Sequence, residues 1–338
     1  MQKKLIALAV AGLVSAPAFA QSNVTIYGVA DAYMAFGDHG ANDYSAVNSG
    51  GLSGSRIGFR GTEDLGNGLK GVFTYEQGIA IDDAATGMGG AARQAFVGLS
   101  SGFGTVSLGR QYAPGFDHIV DAFGNSAILS PAAILVSGEG STIDAGSGAR
   151  WNNSVAYNGS FSGLGVRAIY SMDAVEQAAN PSDDDAYGLG LNYMNGPLRV
   201  AAIYQVVQDN AEDQKEWSLG ASYNFGVATL TAHYQDAKSL GNAAGDDLDL
   251  WQVGVMVPVG AAGTVHLGYG QADYDLVNAE AKSYSIAYTH ALSKRTTAYV
   301  GYNQTDNDNG LTKGVVGASA GVTGDKANVF AVGMRHTF

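Results

Sequence analysis

Cysteine is absent from all 338 residues, which excludes disulfide staples, thiolate metal sites and cysteine nucleophiles together. Proline and tryptophan are sparse, at 6 and 3 residues. Beyond residue 14 no apolar run approaches the roughly 20 residues that a membrane-spanning helix requires, and mean hydropathy is zero. Positive charge is also scarce, with 18 Lys and Arg against 31 Asp and Glu, a balance unsuited to nucleic acid. What is plentiful is glycine, at 48 residues, and tyrosine, at 18, a composition that favours β-structure with many turns. A membrane protein built this way has one option, a closed barrel in which every backbone group pairs with a neighbouring strand.

The chain starts like a secreted protein. Lys3 and Lys4 precede the apolar run Leu5 to Val14, and Ala18-Phe19-Ala20 supplies a small-x-small cleavage pattern. Residues 1–20 are therefore expected to be a signal peptide, leaving a mature chain from Gln21 with formal charge −15 after the two lysines are lost from −13. No Pro- or Ser-rich linker divides the mature chain, so residues 21–338 are read as one domain.

Period-two alternation carries the fold. In Trp217 to Phe225 one face reads Trp, Leu, Ala, Tyr, Phe and the other Ser, Gly, Ser, Asn; Tyr284 to Leu292 and Phe330 to Phe338 repeat the pattern. A soluble sandwich also alternates, but its polar face carries many Lys and Glu, whereas here that face is small and nearly uncharged. Short connections such as Asp64-Leu65-Gly66-Asn67-Gly68, Gly196-Pro197 and Ser293-Lys294-Arg295 alternate with long polar ones such as 173–185, 236–247 and 306–325. Sixteen strands are counted, opening with 24–36, 53–63, 69–82 and 92–100 and closing with 328–338. The expected fold is all-β, a 16-stranded antiparallel transmembrane barrel with short periplasmic turns and long extracellular loops, wide enough for an aqueous channel.

Four stretches resemble the general porins of Gram-negative bacteria, closest to the trimeric Neisseria and Burkholderia type: Val24 to Gly28, Ser55 to Gly66, Arg93 to Leu99 running on to Gly109-Arg110-Gln111-Tyr112, and Asn152 to Tyr157. With the terminal Phe338 the likeness spans the chain. It implies a homotrimer of diffusion pores for ions and small hydrophilic solutes in the outer membrane, each narrowed by an inward-folded third loop. That loop is the insert 111–149. The resemblance implies partners in outer-membrane lipid, lipopolysaccharide and the outer-membrane assembly machinery, which reads Phe338.

Strand arginines should face the pore, because a charge on the lipid side costs about 2–4 kcal/mol at midplane. Arg56 and Arg60 share a face opposite Ile57 and Phe59. The resemblance places Arg56, Arg93 and Arg150 in a basic ladder with Arg60 and Arg110 beside it, and sets Asp117 and Asp121 across from them; Glu139 and Asp144 are weaker candidates. The loop lacks the acidic Pro-Glu-Phe-Gly-Gly pattern of enteric relatives, and its Ser130 to Val136 segment is apolar enough to pack against the wall or a neighbouring subunit. Tyr27, Tyr157, Trp217, Tyr223, Tyr288 and Phe338 read as girdle aromatics.

Other chemistries find little support. Gly66 to Gly71 fits G-x-G-x-x-G but joins two strands where a nucleotide site needs a helix. Asp183 to Asp185, Asp246-Asp247 with Asp249, and Asp306 to Gly310 lack the closing Glu of an EF-hand, so neither metal nor cofactor is assigned. Divalent bridging from these loops to lipopolysaccharide phosphates is a minor reading. Six scattered histidines show no ligand spacing, and Ser285 and His290 fall on opposite faces of one strand, so no enzyme is expected. A substrate-specific channel is the alternative, which an aromatic slide would mark; an adhesin with a closed lumen would lack the small polar inner face.

Overall fold

The computed structural model describes residues 23–39, 43–83, 92–144, 149–174, 185–209, 211–308, 310–314 and 323–338, and the expected signal peptide lies outside them. The chain opens with β1 (Asn23–Asp38), β2 (Asp43–Ser49), β3 (Arg56–Gly66), β4 (Leu69–Gly78), β5 (Ala92–Ser101) and β6 (Gly104–Tyr112). Two short helices come after β6, α1 (Pro114–Asp117) and α2 (Pro131–Val136). Next are β7 (Arg150–Phe161), β8 (Leu164–Ser171), β9 (Ala186–Asn195), β10 (Leu198–Val207), β11 (Gln214–Asn224) and β12 (Thr229–Lys238). The last are β13 (Leu248–Val259), β14 (Gly263–Tyr274), β15 (Ala279–Ala291), β16 (Thr296–Asn307) and β17 (Ala327–Thr337).

Every strand pairs antiparallel with its sequence neighbour, apart from β2 and β3, and β17 returns to β1 with Val29 opposite Thr337 and Asp38 opposite Asn328. The barrel is closed, which removes the exposed edge that hydrocarbon would not tolerate. Its 17 segments make sixteen staves, because β2 and β3 share one: β2 pairs with Ala32 to Asp38 of β1 and β3 with Asn23 to Val29. Between them residues 50–55 leave the wall and turn inward. Alternation alone starts that stave at 53 and passes over β2, whose Asp43-Tyr44-Ser45-Ala46-Val47-Asn48-Ser49 alternates too weakly to stand out.

The alternation is realised. On β12, Leu230 and Tyr234 are exposed on the outer surface while Thr231, His233 and Gln235 are buried inside. Trp217, Tyr223, Tyr284, Ile286, Phe330, Met334 and Phe338 are likewise exposed outside. Tyr27 is a correction: with Val24 and Ile26 outside, the pleat turns it into the lumen, where its hydroxyl donates to Glu76 Oε2 at 3.0 Å.

Turn chemistry fixes the short end of the barrel. Gly66, Asn67 and Gly68 all take positive φ, of 86°, 53° and 77°, so the glycine-rich hexapeptide is a hairpin turn. The packed apolar core lies inside the barrel, where residues 112–144 fold inward against the wall.

Candidate functional site

The inward loop tracks the inner surface, and glycines on the wall make room for it. A methyl group added at Gly190 would lie 2.7 Å from Pro114, at Gly220 2.7 Å from Val120, at Gly254 2.5 Å from Ala122, at Gly268 2.5 Å from Phe123 and at Gly301 2.6 Å from Leu129. Loop residues of rising number thus meet strands β9, β11, β13, β14 and β16 in turn. The apolar segment becomes α2, capped by Ser130, whose hydroxyl accepts from Ala133 N, and wholly buried. Leu135 packs with Leu248, Leu250, Ala272 and Tyr274, so this segment binds the barrel wall.

Polar latches fix both limbs. Gln205 accepts from Gly115 N at 2.5 Å and donates to Thr142 Oγ1 at 2.6 Å, tying the start of the loop to its end. Glu216, 1% exposed, accepts from Ser141 Oγ at 2.5 Å, Thr142 N and Oγ1 at 2.7 Å, and Gln214 and Gln235 amides. A carboxylate this buried is tolerable because hydrogen bonds replace its lost water. Glu139 pairs with Lys313 of the last long loop, whose Nζ also donates to Ser137 O and lies 5.2 Å from the Tyr274 ring.

The wall left uncovered carries the arginines. Arg93 Nε donates to Glu76 Oε1 at 2.9 Å, and Arg56 Nε lies 3.6 Å from Glu76 Oε2. Arg93 also donates to the Tyr112 hydroxyl at 2.8 Å, which in turn donates to Glu76 at 3.1 Å. Arg150 sits over the Tyr112 and Phe116 rings at 5.4 and 5.6 Å, and its buried Nε has no hydrogen-bond partner. Arg60 lies over Tyr27 at 5.0 Å. Arg110 is a strut: it donates to Ala92 O at 2.6 Å and to Asn152 Oδ1 at 2.5 Å.

Of the two expected acids, Asp121 lies between the β11 and β13 contacts of its neighbours Val120 and Ala122, half a barrel from Arg56 and Arg93. Its Oδ2 accepts from Asn125 N at 2.8 Å, and removal from water raises its carboxyl above the usual value against that bond and others from Phe123 and Ser130. The side chain of Asp117 lies outside the described residues. Sequence reasoning misses Glu76, which joins Arg56 to Arg93. Its signal is present all the same: Phe73 and Tyr75 alternate outward on β4, and the same period of two gives the next residue, the charged Glu76, only the lumen to face.

The geometry is that of a passive pore: a closed transmembrane barrel, a loop folded into its lumen and a charged wall opposite. The sequence profile of the family described as Gram-negative porin matches residues 7–310. The chain is 34% identical over 354 residues to outer membrane porin protein 32 of Delftia acidovorans, with full coverage of both. It is 28% identical over 369 residues to major outer membrane protein P.IB of Neisseria meningitidis serogroup B, again over both full lengths. The solved anion-selective porin from Comamonas acidovorans superposes with a TM-score of 0.81 at 31% identity, covering 94% of this chain and 100% of that one. OmpT of Vibrio cholerae shares the fold, with a TM-score of 0.70 at 16% identity over 94% of this chain and 98% of its own. The chain belongs to the Gram-negative porin family, and is an outer-membrane diffusion porin.

Proposed function

We propose that this porin passes small hydrophilic anions in preference to cations, without catalysing a reaction. The observation that carries the reading is the charge balance of this wall: Arg56 and Arg93 pair with one carboxylate, Glu76, and Arg150 adds a third positive charge over the Tyr112 ring that Arg93 and Glu76 share. Asp121, on the far side of the lumen, is engaged by its own loop. Charge lining a narrow lumen acts directly on the passing ion, while rim charges further away than the Debye length, about 8 Å at physiological salt, are screened. The likeness to an anion-selective porin agrees with this.

The reading extends to assembly. The outer face is an apolar band with Trp217, Tyr223 and Phe338 exposed, suited to lipid, and OmpT of Vibrio cholerae is described in a trimer form. We infer a homotrimer in contact with lipid and lipopolysaccharide, delivered after loss of residues 1–20 and inserted by the assembly machinery through Phe338. Divalent bridging from the acidic loops to lipopolysaccharide remains the lesser reading.

Reversal potentials in a salt gradient test the selectivity. Arg150→Ser, which leaves Glu76 both its arginines, reduces the anion preference, and Arg56→Ser with Arg93→Ser turns it toward cations. Unchanged reversal potentials in folded variants would place these side chains outside the ion path.

A further inference from the structure

Charge is separated along the barrel axis. At the turn end, Glu63 and Asp64 are the only acidic side chains among the described residues, and Asp64 is engaged by Gly66 N. On the same half, strand alternation points Arg60, Arg167, Arg199 and Arg335 into the lumen: Arg167 shares a face with buried Ile169, Arg199 with buried Ala201 and Ile203, and Arg335 with buried Ala331. Strands β7 to β10 carry three arginines, Arg150, Arg167 and Arg199, and no Asp or Glu. At the loop end the sign reverses. Lys215, Lys238, Lys282, Lys313 and Lys326 are each ion-paired there, and Asp43, Asp82, Asp209, Asp275 and Asp308 remain in excess.

We propose that this arrangement makes the pore a rectifier: an acidic outer mouth in series with a basic constriction and inner half. The outer zone concentrates mobile cations and the inner zone mobile anions. A positive voltage on the extracellular side drives both toward the junction, where they accumulate and raise conductance. The opposite voltage draws both away and depletes it. The proposal rests on the anion-passing reading for the sign of the inner zone, but it is measured separately, as the ratio of currents at equal and opposite voltages in symmetric salt.

Oriented single channels in planar bilayers test it. Because the protein has no cysteine, Ala244→Cys in the exposed connection between β12 and β13 gives a handle that only a reagent on the loop side can reach, which fixes the orientation. At about 0.01 M salt, where the Debye length is about 30 Å, the current is larger with the extracellular side positive; at about 1 M, with a length of about 3 Å, the ratio falls to one. A potential difference of one kT between the zones corresponds to a ratio of about 2–3. Arg167→Ser with Arg199→Ser lowers the ratio while the reversal potential keeps its sign, since Arg56, Arg93 and Arg150 remain. Asp246→Asn with Asp247→Asn at the outer mouth lowers it as well, and guards against misfolding of the arginine variant. A linear current-voltage relation at low salt, or rectification of the opposite sense, overturns the inference. Rectification beside a cation-selective reversal potential would instead overturn the anion reading alone.

Discussion

Arg93 Nε donates to Glu76 Oε1 at 2.9 Å, with the two side chains 13% and 4% exposed, so the carboxylate that organises the basic wall also cancels part of its charge. Glu76→Gln separates these roles. The reversal potential shifts further toward the anion value, because one negative charge leaves the constriction. Unfolding in detergent becomes easier by about 1.5–3 kcal/mol, the range for a hydrogen bond to a charged group. A shift toward cations would show that Glu76 does not compensate the arginines.

Glu216 controls how firmly the loop is held. Glu216→Ala removes the acceptor of Ser141, Thr142 and two glutamine side chains, leaving buried donors unpaired at about 1–3 kcal/mol for each unsatisfied group. Greater open-channel noise is expected, with Glu216→Gln closer to wild type. Equal noise in all three would mean that the loop is fixed elsewhere.

Gly254 tests the seat of the loop from the wall side. Gly254→Val places side-chain carbon where Ala122 Cβ and Thr231 Oγ1 already lie, 2.5 and 2.7 Å from an added Cβ. Overpacking of this kind costs about 1–3 kcal/mol, and moving the loop into the lumen lowers single-channel conductance. Conductance at the wild-type value would show that the wall yields instead.

Asp121 predicts a pH dependence. Its carboxyl titrates above the usual aspartate value because burial disfavours the charged form. As pH falls through that raised value, the acid across from the arginines becomes neutral and anion preference rises. The change therefore starts at higher pH than an ordinary aspartate would give. Asp121→Asn is expected to show the raised preference at neutral pH and to lose that part of the titration; a titration identical to wild type would assign it to other carboxylates.

Phe338 closes the barrel through reciprocal bonds with Gly28, its N–H to Gly28 O at 3.1 Å and Gly28 N–H to its own carbonyl at 3.2 Å. The ring covers the outer side of that glycine. Deleting Phe338 lowers the yield of folded trimer on native gels, through the lost closure and, as proposed, through the lost assembly signal. Full yield would remove Phe338 from both roles.

The barrel was legible in the sequence because lipid outside and water inside impose a period of two that each strand must satisfy locally, as Trp217 to Phe225 and Phe330 to Phe338 do. Arginine placement came from the same rule, since Arg56 and Arg60 had only one face on which a charge is tolerable. Tertiary structure decided what depends on distant partners. The stave split into β2 and β3 exists because residues 50–55 turn inward, where Asp31 accepts from Leu52 and Ser53 N–H at 2.9 Å and from the Tyr299 hydroxyl at 2.7 Å. The joining of Arg56 to Arg93 through Glu76, the seating of α2 on the wall and the turning of Asp121 into its own loop bring together side chains from separate staves and the inward loop. Alternation assigns each residue a face; only closure of the barrel determines which residues meet across it.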